Sequence, residues 1–410
     1  MEKNIDKFEI AACLLEKLQK RNISEATEIQ CKIFPRLTAG ENVFFASATG
    51  TGKTFAYLLP ILSKLINQSS EFINKPSLLI IAPTLELCTQ INSELEFLLA
   101  DTQIKSSLII GSADMERQIN NLKKTKPDII VGNPSRLLVL ANKGILKLYP
   151  RFLVLDEADR LVSDEMLNDM SDLCGLIKRN VKKADINMNI AACSATMNKK
   201  NREKLLQIVM PKSNTGGIQY IESEENEILR DKIVHWAIFS EKRRKDQTLR
   251  SLLAAIKTSK SKKKKIKSKV LIFTSKNDEA AFVLGKLQYH HVPCAGLFGK
   301  AGKKAVSGEQ RRESLELFRD GSIEALVSTD LAARGLDIPG ITHVISLDVP
   351  SDSEVYIHRC GRTARAGKRG IMVTIGDETQ MRLLAAMEKK LKIRVQPKEL
   401  RYGEIVAPEL

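Results

Sequence analysis

Short apolar runs, leucine-rich or β-branched, alternate along this chain with longer stretches of helical periodicity. In the first half the runs fall at 43–46, 78–82, 107–110, 129–131, 152–155 and 190–193. Strands apolar on both faces belong in a parallel sheet covered by helices on each side. The pattern therefore predicts an α/β fold with a doubly wound parallel sheet. The second half repeats it with runs at 233–239, 270–274, 325–328, 343–347 and 370–374. At roughly 100–200 residues per domain, 410 residues call for more than one. The expected division is a domain over 1–221, an acidic linker at 222–228, a domain over 229–391 closed by an amphipathic helix at 381–391, and a tail over 392–410.

Charge narrows the partner. Lys and Arg number 65 against 49 Asp and Glu, a net +16, which favours a polyanion such as nucleic acid. Residues 257–269 (KTSKSKKKKIKSK) supply eight of those charges, as a solvated tether, an RNA-phosphate contact or a nuclear-import signal. The seven cysteines are scattered, with no C-x-x-C pair, so buried thiols in a reducing compartment are expected rather than disulfides or zinc. The amino terminus lacks a signal-peptide core and no run reaches the ~18 apolar residues of a membrane span. The expectation is a soluble cytoplasmic protein with no membrane partner.

The run 43–46 leads into Ser47, Ala48, Thr49, Gly50, Thr51, Gly52, Lys53 and Thr54, and a helical pattern follows. Strand, glycine-rich loop and helix is the context of a phosphate site. Small residues let backbone N–H groups turn inward around phosphate oxygens at the positive end of a helix. Lys53 adds a point charge for the β- and γ-phosphates, and the Thr54 hydroxyl is a Mg²⁺ ligand. Ser47 stands where the first glycine of the generic pattern falls. Asp156 and Glu157 end the run 152–155, where a parallel sheet sets them beside the phosphate loop. Asp156 then holds Mg²⁺ and Glu157 orients or deprotonates the attacking water; two such acids also cap helices.

Asp156-Glu157-Ala158-Asp159, followed by Ser194-Ala195-Thr196, resembles the DEAD-box RNA helicases. The stretches 328–337 and 358–367, with His358, Arg362 and Arg365, resemble the same family. The resemblance implies two tandem RecA-like domains around an ATP cleft, with ATP and Mg²⁺ as cofactors. It assigns adenine recognition to Thr27 and Gln30, ribose contact to Asp337, and arginine-finger roles to Arg362 and Arg365. Asp159, Ser194, Thr196 and His358 would couple the cleft to RNA. The family aromatic that stacks on the base falls near Ile5, with Phe8 the nearest ring.

The implied RNA contacts are Pro83, Thr84, Gly111, Arg136, Arg311 and Thr329. Leu85 replaces a family Arg and Gly308 a family Gln. Amides, hydroxyls and Arg groups suit sugar-phosphate contact, which carries no base sequence. Aromatics are 5% of the chain, so no stacking platform for bases is evident. The expected function is an ATP-dependent RNA helicase, with RNA-stimulated hydrolysis driving local, non-processive unwinding or ribonucleoprotein remodelling. An ATP-gated RNA clamp or assembly factor is the alternative, and a DNA translocase the third reading. A monomer is expected, with a protein partner as one source of specificity.

Overall fold

The structure is a computed structural model that describes residues 4–47, 50–67, 76–111, 113–195, 198–210, 218–222, 232–261, 268–299, 308–333, 338–364 and 369–408. It divides into two compact units, Met1–Glu224 and Glu225–Leu410. The first contains β1 (Asn42–Ala46), β2 (Leu78–Ile81), β3 (Ser106–Ile109), β4 (Ile129–Gly132), β5 (Phe152–Asp156), β6 (Asn189–Ser194) and β7 (Ile218–Glu222). Their order is β3-β4-β2-β5-β6-β1-β7, and every pairing is parallel.

Alternate residues of one strand enter opposite cores. Val43, Phe45, Leu78, Ile80, Val131 and Val154 pack on one face; Phe44, Leu79, Ile81, Ile130, Leu153 and Leu155 pack on the other. Both faces are covered, which is why the strands read as continuous apolar runs. Each such side chain contributes roughly 1.5–3 kcal/mol on burial. β6 separates β5 from β1, so Asp156 lies two strands from the phosphate loop rather than on the adjacent one.

The second unit contains β8 (Ile233–Phe239), β9 (Val270–Thr274), β10 (Cys294–Leu297), β11 (Ala325–Thr329), β12 (His343–Ser346), β13 (Gly370–Gly376), β14 (Val395–Arg401) and β15 (Glu404–Val406). The order is β10-β11-β9-β12-β13-β8-β14-β15. All pairings are parallel except the β14–β15 hairpin. The segment 392–410, expected as a tail, instead extends the sheet: β14 pairs with β8, setting Gln396 opposite Trp236. Its polar side chains hid it: the hairpin closes the edge of the sheet, where little apolar content is needed, and Pro397 pairs with β8 beyond the reach of β15. β7 and β10 were likewise not anticipated, being short and weakly apolar.

The helix Glu378–Leu391 contains the expected amphipathic stretch. The helix Lys245–Ser261 takes in the start of the Lys-rich run, where Lys257 pairs with Glu324 at 3.0 Å. Residues 262–267 of that run and 223–228 of the expected linker lie outside the described residues. Among the described residues no helix is long and apolar enough to cross a membrane.

Candidate nucleotide site and nucleic-acid face

At the carboxyl end of β1 the Ser47 N–H donates to the Ser194 carbonyl at 3.0 Å, fastening the loop to the end of β6. The Ser47 and Thr51 hydroxyls share a hydrogen bond of 2.7 Å. Gly50 and Gly52 have φ of +82° and +88°, left-handed backbone that glycine adopts without strain. The helix Lys53–Asn67 then begins, and the Lys53 ammonium reaches back to the Ser47 carbonyl at 2.7 Å. A lysine spanning the loop mouth and a helix amino terminus behind it form a cradle for phosphate. Ala48 and Thr49 lie outside the described residues.

Thr27 and Gln30 cap the helix Glu28–Thr38 reciprocally. The Thr27 N–H donates to Gln30 Oε1 at 2.9 Å, and Gln30 Nε2 donates to the Gly52 carbonyl at 3.0 Å. The Gln30 amide, expected to read a base, thus joins the cap to the phosphate loop; one N–H and one lone pair remain for a ligand. A Cβ on Gly52 would lie 2.5 Å from Gln30 Nε2. Ile5 is buried, and Phe8 packs edge-on against Phe34 at 4.9 Å.

Asp156 ends β5 and Ser194 ends the adjacent β6. Three donors converge on the Asp156 carboxylate: the Tyr57 hydroxyl on Oδ2 at 2.9 Å, and the Glu157 N–H at 2.9 Å with the Cys193 thiol at 3.2 Å on Oδ1. Burial and the nearby Asp156 charge push the Tyr57 phenol and the Cys193 thiol well above their ordinary range, so both remain donors. Glu157 has φ of +49°, a conformation that costs a side-chain-bearing residue roughly 1–2 kcal/mol. Glu157, Asp159 and Ser194 are buried; Thr196 lies outside the described residues. The donors around Asp156 are 99 and 37 residues away in sequence, and no motif signals them.

In the second unit the helix Ser353–Cys360 carries His358 and leads into Arg362, both buried. Arg362 Nε donates to the His358 carbonyl at 3.3 Å. Between them Arg359, 1% exposed, is a hub that sequence reasoning did not single out. Its guanidinium makes two bonds to Asp330, at 2.6 and 2.7 Å, and one to Asp348 at 2.6 Å. It also donates to the Ser346 hydroxyl and lies over the Phe273 ring. Burial opposes the charge, yet the bonds to Asp330 and Asp348 raise its pKa. Phe273, Asp330, Ala333, His358, Arg359 and Arg362 line a small pocket. Arg365 and Asp337 lie outside the described residues.

Of the candidate RNA contacts, Thr84 follows buried Pro83 and caps the helix Leu85–Leu99, accepting from the Leu87 N–H at 3.2 Å. Arg136 donates to the carbonyls of exposed Gly111, at 2.5 Å, and of Ala113, at 3.1 Å. Thr329 ends β11 and donates to Asn277 Oδ1 at 3.4 Å, which also accepts from the Gly299 N–H. Arg311 is half-buried on the helix Gly308–Asp320.

Two parallel-sheet units, the first bearing this phosphate loop and acid pair, define a RecA-like ATPase core. Residues 27–205 match the DEAD/DEAH box helicase family model, and residues 244–367 the helicase conserved C-terminal domain. The chain is 32% identical over 394 residues to the DEAD-box ATP-dependent RNA helicase CshC of Bacillus cereus, covering 96% of this chain and 92% of that protein. It is 32% identical to CshA of Bacillus subtilis over 94% of this chain and 72% of that one. Mss116p bound to single-stranded RNA and AMP-PNP superposes with a TM-score of 0.85 at 26% identity, over 97% of this chain and 80% of that one. S. cerevisiae Dbp5 bound to RNA and ADP BeF3 gives 0.81 at 26%, over 96% and 95%. The chain belongs to the DEAD-box ATP-dependent RNA helicases. It is an ATP hydrolase acting on RNA.

Proposed function

We propose that the chain couples RNA-stimulated ATP hydrolysis to local, non-processive separation of RNA duplexes or remodelling of ribonucleoproteins. The observation that carries this reading is that one sheet bears the Lys53 loop after β1 and the Asp156–Glu157 pair at the end of β5. Loop amides and Lys53 bind the substrate phosphates, and Thr27 and Gln30 select adenine. Glu157 orients the attacking water and accepts its proton. Arg362 and Arg365 stabilise the charge that grows in transfer, and Asp337 holds the ribose; such arginines contribute about 10³–10⁵ in rate in related chemistry.

Thr54 and Asp156 would hold Mg²⁺. Their all-oxygen donors suit that hard cation, which takes one or two carboxylates beside substrate phosphates. When bound, Mg²⁺ supplies positive charge to the phosphoryl oxygens.

Pro83, Thr84, Gly111, Arg136, Arg311 and Thr329 contact the sugar-phosphate backbone, while Asp159, Ser194, Thr196 and His358 link RNA to the nucleotide. Such contacts are sequence-tolerant, so specificity falls to a protein partner. Seven free cysteines fit a reducing compartment such as the cytoplasm. Two features favour the clamp reading: Arg136 is engaged with loop carbonyls, and Leu85 offers RNA no charge. Displacement of a short RNA duplex decides. Release of the strand with ATP, abolished in Arg362→Ala, supports unwinding; retention of RNA with a non-hydrolysable analogue and no strand release supports the clamp.

A further inference from the structure

Tyr57 stands four residues beyond Lys53, on the first turns of the helix Lys53–Asn67, and its ring is completely buried. A buried phenol needs a hydrogen-bond partner. This one donates to Asp156 Oδ2 at 2.9 Å. Asp156 ends β5, 99 positions along the chain from Tyr57 on its helix. The opposite oxygen of Asp156 is held by the Glu157 N–H and the Cys193 thiol.

We propose that Tyr57 is a positioning residue for the metal: its hydroxyl fixes the Asp156 carboxylate in the orientation that receives Mg²⁺. By donating to one carboxylate oxygen, it removes the rotation that would otherwise cost order on binding. Groups that orient ligands in this way contribute about 10–100-fold in metal affinity where they have been removed. The inference rests on the reading of Thr54 and Asp156 as the Mg²⁺ ligands. It reaches beyond that reading because the reading gives Tyr57 no role.

The test uses the full chain and Tyr57→Phe, which keeps the ring and deletes only the hydroxyl. A fluorescent ADP analogue is titrated without metal, and then against increasing Mg²⁺. The expected result is ADP binding without metal close to the parent, with the Mg²⁺ concentration for half of the metal-dependent tightening raised about 10-fold. In hydrolysis assays kcat recovers toward the parent as Mg²⁺ saturates, a split that a merely structural defect would not give. Identical Mg²⁺ titrations for Tyr57→Phe and parent overturn the inference. Asp156→Asn separates the two failures: if it too leaves the Mg²⁺ dependence unchanged, the ligand assignment itself is wrong. Should Tyr57→Phe not fold, Cys193→Ala removes the other side-chain donor to Asp156. A rise in its Mg²⁺ requirement supports positioning of the carboxylate by its neighbours, and no rise contradicts it.

Discussion

Gln30 and Gly52 are joined by a hydrogen bond of 3.0 Å from the side-chain amide to the loop carbonyl, so the cap of one helix is fastened to the phosphate loop of another. A Cβ at Gly52 would lie 2.5 Å from that amide, so a side chain there must push Gln30 out of its bond to the loop. The Gly52 φ of +88° adds left-handed strain for any other residue. Gly52→Ala should therefore weaken ATP binding by at least about 5–30-fold, the effect of 1–2 kcal/mol. Titration of a fluorescent ATP analogue checks it.

Arg359 is almost fully buried and bonded to Asp330 and Asp348. Removing one partner of a buried pair leaves the other charge uncompensated. Both carboxylates keep some solvent contact, so the lower end of the usual range applies. Arg359→Gln should cost about 3 kcal/mol and lower Tm by roughly 6–12 °C. Thermal unfolding followed by circular dichroism reads this directly.

The doubly wound plan was legible because strands covered on both faces must be apolar at every position, as Leu78–Ile81 and Phe152–Asp156 nearly are. The phosphate loop was legible because Gly50, Gly52, Lys53 and Thr54 fall within five residues of the chain. Tyr57, Cys193 and Arg359 were not, because their roles depend on partners that only the folded sheet brings near. The β14–β15 hairpin escaped for the opposite reason: lying at an edge, it carries polar residues that read as tail.

That hairpin has an optical reporter. Trp236 is the only tryptophan; it lies opposite Gln396 on β14, with Lys398 over its ring. Ending the chain after residue 393 should expose the ring, red-shift its emission and increase quenching by iodide. Unchanged fluorescence would mean that β14 does not cover it.

Cys88 and Cys174 are buried thiols pushed by desolvation from 9.0 up to about 12. In the unfolded chain such thiols ionise near pH ~8.5. The folded pKa is the higher one, so their contribution is fully present below that pH and is lost as pH rises toward 12. Each should lower stability by about 1.4 kcal/mol per pH unit in that window. Urea unfolding at pH 8 and 10 should show the fall, and Cys88→Ala with Cys174→Ala should reduce it, with the buried Cys193 and Cys360 thiols keeping the remainder.

The central claim is that RNA switches on a hydrolysis in which Glu157 handles the attacking water. Steady-state ATP hydrolysis with and without single-stranded RNA, with single-stranded DNA and Glu157→Gln as controls, tests it most directly. The account predicts stimulation by RNA and not by DNA, and a loss of about 10²–10⁴-fold in Glu157→Gln. Equal rates with and without RNA, or a Glu157→Gln variant as fast as the parent, would contradict it.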